Sequence, residues 1–293
     1  MFNKLSLGEK IFKIFNTLFM LFLAVITIYP LLYVFYASLS VPSQFMAHKG
    51  VLLYPLGFEL DSYIKVFQNP MIIKGYMNTI IVLVSGLVVN IILTSIAAYF
   101  LSRKNVKLQS FIMKMIVFTM FFSGGLIPLF HTVKDLGLYN TYGALVFPVA
   151  INTFNLIIMR TSFLAIPDSL EESAKLDGAG HYRILISIMI PLAKATIAVI
   201  TLYYAVQHWN SWFHASIFLR NRELYPLQLI LREILIQNDT SSMMQGVDTI
   251  DRESIGETVK YAVIIVATLP VLMVYPFLQR YFVKGALIGS VKG

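Results

Sequence analysis

Two groups of residues have side chains suited to acting on something outside the chain. The first is a polar stretch from Ile166 to Gly180, which holds Asp168, Glu171, Glu172, Ser173, Ala174, Asp177 and Gly178. Ser169 and Glu172 stand at Ser-x-x-Glu capping-box spacing, with Asp168 and Glu171 as an overlapping alternative, so a helix starts here. Acids in its first turn suit the positive end of the helix dipole. Gly178 and Gly180 break that helix and turn the chain. A second helix follows, with Tyr182, Leu185, Ile186, Met189, Ile190 and Ala193 at helical spacing on one face. A short hairpin studded with carboxylates is a handle for another protein to grip. The second group comprises Asn152 and Asn155, three residues apart and so on one helix face, and Gln207, His208 and Asn210, interleaved with Trp209 and Trp212. Their chemistry is hydrogen-bond exchange: amides and imidazole can donate to and accept from hydroxyls, while aromatic rings cover apolar faces.

No constellation for bond-making chemistry accompanies them. There is no Gly-x-x-x-x-Gly-Lys-Ser/Thr phosphate loop, no His-Glu-x-x-His and no Gly-x-Ser-x-Gly elbow. Cysteine is absent, which excludes disulfides and thiolate metal sites. His131, His208 and His214 do not share a ligand spacing, so no metal site is expected.

The elements that must position these residues are apolar. Hydrophobic residues make up 57% and charged residues 13%, with a mean hydropathy of +0.73. A soluble domain carries about 25% charged residues. The sequence therefore predicts an all-α membrane protein with six transmembrane helices, over about 14–39, 76–102, 111–133, 141–160, 191–219 and 259–280. These form one domain over 1–293, with an inner loop at about 166–190. The first run is too long for a signal-peptide core and reads as an uncleaved span kinked at Pro30. Residues 40–75 and 220–260 form long outer loops, with short helices around Ser62–Phe67 and Pro226–Ile236 and a loop over 238–242. Ser123-Gly124-Gly125 with Pro128 marks either an unwound helix lining a cavity or simple close packing. Trp209 and Trp212 suit either an interfacial belt or contact with a solute. None of the six charge-free windows contains a carboxylate, which argues against proton or sodium coupling and places the energy source in another chain.

Charge sets the orientation. Most of the 23 cations, among them Lys4, Lys10, Lys13, Arg103, Lys104, Lys107, Lys114, Arg160, Arg280 and Lys292, fall in the segments on the same side as both termini. Most acids fall in the other loops. The positive-inside rule then puts both termini and the Glu172 hairpin in the cytoplasm. The net charge of +8 is scattered over span ends rather than gathered on one face, which speaks for membrane lipid and against nucleic acid.

The hairpin also resembles a known family. Glu172-Ser173-Ala174, Gly178 and Ile188-Met189-Ile190-Pro191 keep the spacing of the Glu-Ala-Ala signature of inner-membrane permeases of ATP-binding-cassette importers. Ser173 stands where the family has Ala, and Ile190 where it has Leu. The wider Ile166-to-Ala179 pattern, Trp209-Asn210 and the Gln279–Gly285 ending are similar to the carbohydrate-uptake, maltose-type branch. The resemblance implies a type I importer permease fold and half of a solute pore. It implies a coupling hairpin gripped by an ATPase, with no cofactor in this chain because ATP and Mg would be bound by ATPase subunits. The implied partners are a homologous second permease, two ATPase subunits, an extracellular or periplasmic solute-binding protein, and a sugar or oligosaccharide. The alternatives are a permease for a non-sugar solute and a membrane-embedded enzyme. The topology predicts that Ser110→Cys and Lys292→Cys react only with membrane-permeant thiol reagents in intact cells, and Asn238→Cys with impermeant ones. Labelling at position 292 by an impermeant reagent would invert the assignment.

Overall fold

The structure, a computed structural model, describes residues 6–104, 106–236, 256–274 and 276. The described residues are helical throughout their ordered elements: α1 (Leu7–Leu39), α2 (Pro42–Ala47), α3 (Asp61–Gln68), α4 (Pro70–Ser102), α5 (Gln109–Phe121), α6 (Leu126–Asp135), α7 (Gly143–Val146), α8 (Thr153–Leu164), α9 (Asp168–Leu176), α10 (His181–Ile184), α11 (Ile190–Leu192), α12 (Lys194–Trp209), α13 (Phe213–Phe218) and α14 (Leu227–Ile236). The last described helix, α15, is Gly256–Val274. The 238–242 loop and the 279–285 ending lie outside the described residues.

α1, α4 and α15 are each long and apolar enough to cross a membrane as single helices, and three bent pairs bring the candidate spans to six. α1 and α4 have 33 residues each, about 50 Å at 1.5 Å per residue, and both exceed their expected limits by starting earlier, at Leu7 and Pro70. α1 starts at a capping box formed by Ser6 and Glu9, and it runs through Pro30. Its apolar side chains, from Leu7, Ile11 and Phe12 to Leu32 and Phe35, are exposed.

The bent pairs depart from uninterrupted helices. α5 and α6 meet at 115° across residues 122–125, where Gly125 has φ +86°. The Gly-Gly pair therefore unwinds the chain rather than serving packing alone. The pieces Gly143–Val149 and α8 meet at 53°. The piece from His181 to Leu192 meets α12 at 87° beside Ala193. α12 then ends at Trp209, and α13 is a separate short helix rather than a continuation to residue 219. An unwound backbone cannot satisfy its own polar groups, so other side chains must do so.

The chain divides into two compact units, Met1–Pro70 with Glu233–Leu269, and Met71–Arg232 with Pro270–Gly293. In the first, Tyr33, Phe45 and Tyr261 pack edge to face, and Ser62 donates to Thr258 at 2.9 Å. The second is organised on α4. Asn78, Val82, Gly86, Asn90, Thr94, Ala98 and Ser102 recur every fourth residue and are all buried. Small and polar residues on such a stripe let neighbouring backbones approach and then bond them. Asn78 donates to the carbonyls of Glu223 and Tyr225, each at 2.9 Å, and accepts from the Tyr142 hydroxyl at 2.7 Å. Beside it, Thr79 accepts from the Leu227 amide at 2.9 Å. Asn78→Leu would strand two carbonyls and a hydroxyl, costing about 2–4 kcal/mol. The expected result is a melting temperature lowered by several degrees in detergent; an unchanged melting temperature would refute the count.

Candidate coupling hairpin and solute path

The hairpin is α9, a turn at residues 177–180, and a second limb from α10 to α11. α9 begins at Asp168, with Pro167 in the cap position and no side-chain cap hydrogen bond. The anticipated Ser169–Glu172 and Asp168–Glu171 capping boxes are thus absent. Proline fixes the extended cap conformation one residue earlier and moves Ser169 inside the first turn. At the other end, the Ala179 amide bonds the Ala174 carbonyl at 2.9 Å and the Gly178 amide bonds the Lys175 carbonyl at 3.0 Å. This is a Schellman ending, and Gly178, at φ +79°, takes the left-handed position it requires.

The second limb keeps part of the expected face: Leu185, Met189, Ile190 and Ala193 pack inward, and Tyr182 and Ile186 do not. Residues Leu185–Met189 form a π-helical turn, whose extra residue shifts the helical phase. Ile184, Leu185, Met189 and Ala193 are buried, whereas Tyr182 and Ile186 are exposed. The buried set packs with Ala98, Tyr99, Leu156, Met159, Phe163 and Ile200, and Ala174 and Ala179 close the cluster from the hairpin side.

The acids divide by direction. Glu171 is buried and paired with Arg103 and, at 2.8 Å, with Lys175. Glu172, Ser173, Asp177 and Gly178 are exposed, while Ala174 is half-buried. Leu176, next to them, is 90% exposed, an apolar side chain on a polar hairpin. Asp168 bonds Lys104 at 2.5 Å, and that contact holds its carboxyl below the usual carboxylate value. Hairpin and the end of α4 border a cleft of about 620 Å³ lined by Tyr99, Arg103, Glu171, Glu172, His181 and Tyr182 among others.

The amide group is only partly assembled. Gln207, His208 and Asn210 line one cavity of about 190 Å³, with Val149, Ser211, Phe213 and His214. His208 is buried and meets the Asn90 amide oxygen at 2.7 Å. It lies against Gly86, where an added Cβ would stand 2.4 Å from the ring. Asn210 is exposed and bonds the Val206 carbonyl at 3.0 Å. Asn152 and Asn155 do not line that cavity. Asn152 caps α8 by accepting from the Asn155 amide at 3.2 Å, and its own amide donates to Tyr204 at 2.9 Å. Asn155 is buried in α8. Sequence reasoning missed Arg103, Asn90, Tyr204 and Leu176. The four-residue polar stripe on α4 was the signal for Asn90, and Asp168, Glu171 and Lys175 on one helix face were the signal for Arg103 and Lys104.

Residues 5–287 match the family described as binding-protein-dependent transport system inner membrane component. The chain belongs to this family. It is 44% identical over 94% of its length, and 96% of the relative, to the polygalacturonan/rhamnogalacturonan transport system permease protein YtcP of Bacillus subtilis (strain 168). It is 41% identical to the protein LplC of the same organism, over 97% of this chain and 96% of that one. A chain in the crystal structure of a bacterial importer of the acidic polysaccharide alginate superposes with a TM-score of 0.86 at 33% identity, covering 95% of this chain and 99% of that one. The protein is therefore a multi-pass inner-membrane permease subunit of an ATP-binding-cassette importer that works with a binding protein. It is not an enzyme, and ATP is bound by its ATPase partners.

In this permease a Cβ at Gly178 would meet nothing within 4 Å, so a substitution there acts through the backbone alone. A β-branched residue in the left-handed region costs about 1–2 kcal/mol. Gly178→Val is expected to abolish substrate-stimulated ATP hydrolysis in an inserted complex, while Gly178→Asn, which tolerates that region, retains most of it. Equal activities of the two variants would show that the turn conformation is not needed.

Proposed function

We propose that this permease forms half of the pore of an importer for acidic oligosaccharides, uronate-containing fragments of plant or related polysaccharides. It pairs with a homologous permease and two ATPase subunits, receives its solute from an extracellular or periplasmic binding protein, and keeps both termini in the cytoplasm. The observation that carries the coupling role is the hairpin's division of labour: Glu172, Ser173, Leu176, Asp177 and Gly178 face outward while Ala174 and Glu171 fasten it inward. An exposed leucine with the exposed carboxylates Glu172 and Asp177 close by in the chain suits a groove on an ATPase with an apolar floor and a basic rim. The polygalacturonan/rhamnogalacturonan permease YtcP and the alginate importer support the choice of substrate class.

The sugar path runs past Gln207, His208 and Asn210. Gln207 and Asn210 offer amides to passing hydroxyls, with Phe213 beside them in the cavity for the apolar faces of the rings. His208 is held by Asn90 and forms the wall. Asn152 and Asn155 set the N-terminus of α8 beside the path rather than serving as the main contacts. Such a path binds weakly, as release requires.

The deciding experiment measures uptake by the reconstituted importer with its own binding protein. Galacturonate oligomers should be transported and should stimulate ATP hydrolysis, whereas neutral oligomers of the same length should do neither. Gln207→Leu with Asn210→Leu should lower uptake by about tenfold, the worth of one to two hydrogen bonds, while hydrolysis remains stimulated. Transport of neutral sugars or of a non-sugar solute alone would overturn the substrate assignment.

A further inference from the structure

Arg103 and Lys104 follow α4 directly and carry the charge that an inner loop needs. Topology alone does not explain where Arg103 is. Its side chain is 13% exposed and bonded to Glu171, itself 9% exposed. Nε and a second guanidinium nitrogen donate to Ser102 Oγ at 3.1 and 3.0 Å. The guanidinium also sits 5.1 Å from the centre of the Tyr99 ring, and Tyr99 in turn meets His181 Nδ1 at 3.1 Å. Burying an ion pair costs solvation of both charges, so it is weak as a source of stability, and removing one partner strands the other. Its gain is a fixed geometry. A charge that only marks the inner side needs no burial, and Lys104, whose side chain is 77% exposed in its pair with Asp168, shows the ordinary case.

The geometry being fixed joins two distant places. Arg103, next after the last residue of α4, is thirteen positions beyond Asn90, about 20 Å along the helix direction. At that level Asn90 meets His208, and Thr94 bonds Tyr204 at 2.8 Å, both on α12. The covalent route from α12 to the hairpin passes through an 87° bend and a π-helical turn. α4 is an unbroken helix with its inner end locked to α9.

We propose that Arg103 is the positioning residue of the coupling hairpin: its pair with Glu171 ties α9 to the inner end of α4, so that displacement of α4 beside the sugar path is carried to the surface gripped by the ATPase. This rests on the hairpin's role given above. Glu171 and Glu172, though adjacent, then have separate tasks, Glu171 inward to α4 and Glu172 outward to the partner.

The test uses the complete importer in proteoliposomes, with its binding protein and its transported sugar, and reads the ratio of substrate-stimulated to basal ATP hydrolysis alongside uptake. Arg103→Gln and Glu171→Gln should each lower that ratio about tenfold, within the usual range of coupling energies between sites. Lys104→Gln should change it less than about twofold, as for an exposed pair. The exchanged pair, Arg103→Glu with Glu171→Arg, should restore uptake and the ratio to within about threefold of the parent. A normal ratio in Arg103→Gln overturns the proposal. If the single variants do not assemble, the exchanged pair decides: assembled and coupled supports it, and uncoupled or unassembled overturns it. A parent complex that no oligosaccharide stimulates would instead refute the assigned function, and that result is visible before any variant is made.

Discussion

Asn90 is fully buried and uses its whole amide. Its nitrogen donates to the carbonyls of Val149 at 2.8 Å and Ala150 at 2.9 Å, and its oxygen meets His208 at 2.7 Å. Those two carbonyls sit where the helical path breaks before α8, so they have no helical partner of their own. In an apolar surrounding, unpaired carbonyls would each cost several kcal/mol. The break is possible because one amide on a neighbouring helix satisfies the two carbonyls on its near side, while Asn152 caps α8 on the other. Gly86, one turn away, supplies the space that the His208 ring fills. Much of the 71–232 region depends on this contact, since it sets α4, the broken segment and α12 in one arrangement.

The broken helices then acquire a purpose. A bundle of straight apolar helices leaves nothing for a hydrophilic solute to touch. The helical path is interrupted near 122–125, 150–152 and at Ala193, and a cavity bordered by Gln207, His208 and Asn210 lies beside the second of these breaks, where Val149 lines it. Weak, exchangeable contacts suit a conduit better than a tight site. The long exposed apolar faces of α1 and α4 supply the complementary feature, a surface that only lipid or another apolar subunit can cover.

At the inner end the same economy holds. The hairpin carries one apolar cluster on its second limb, one buried ion pair on its first, and a Schellman turn between them. The cluster and the ion pair fasten the segment to its neighbours, the turn holds its two limbs together, and Glu172, Ser173, Leu176 and Asp177 stay exposed.

The class, the hairpin and the family were legible in the sequence for local reasons. Apolar runs of span length, a charge bias between loops, and a glycine followed at fixed distance by Ile-Pro are one-dimensional patterns. Gly178 could be read because its left-handed conformation is a property of one residue, and the helices near Ser62–Phe67 and Pro226–Ile236 because short helices follow local signals. The rest depended on partners far apart in the chain. Pro167 beside Ser169 was a local signal for the cap, but nothing near Ile186 announces a π turn at Leu185–Met189, because that turn belongs with the packing of the second limb into the cluster it shares with α8 and α12. Of two neighbouring glutamates, only the position of Arg103, 68 residues earlier, decides which is buried. Asn152, Asn155 and His208 illustrate the limit most clearly. The sequence says that polar groups at membrane depth must find partners, but it does not say whether the partner is a solute, water, or an amide 118 residues away, and only the tertiary structure makes that choice.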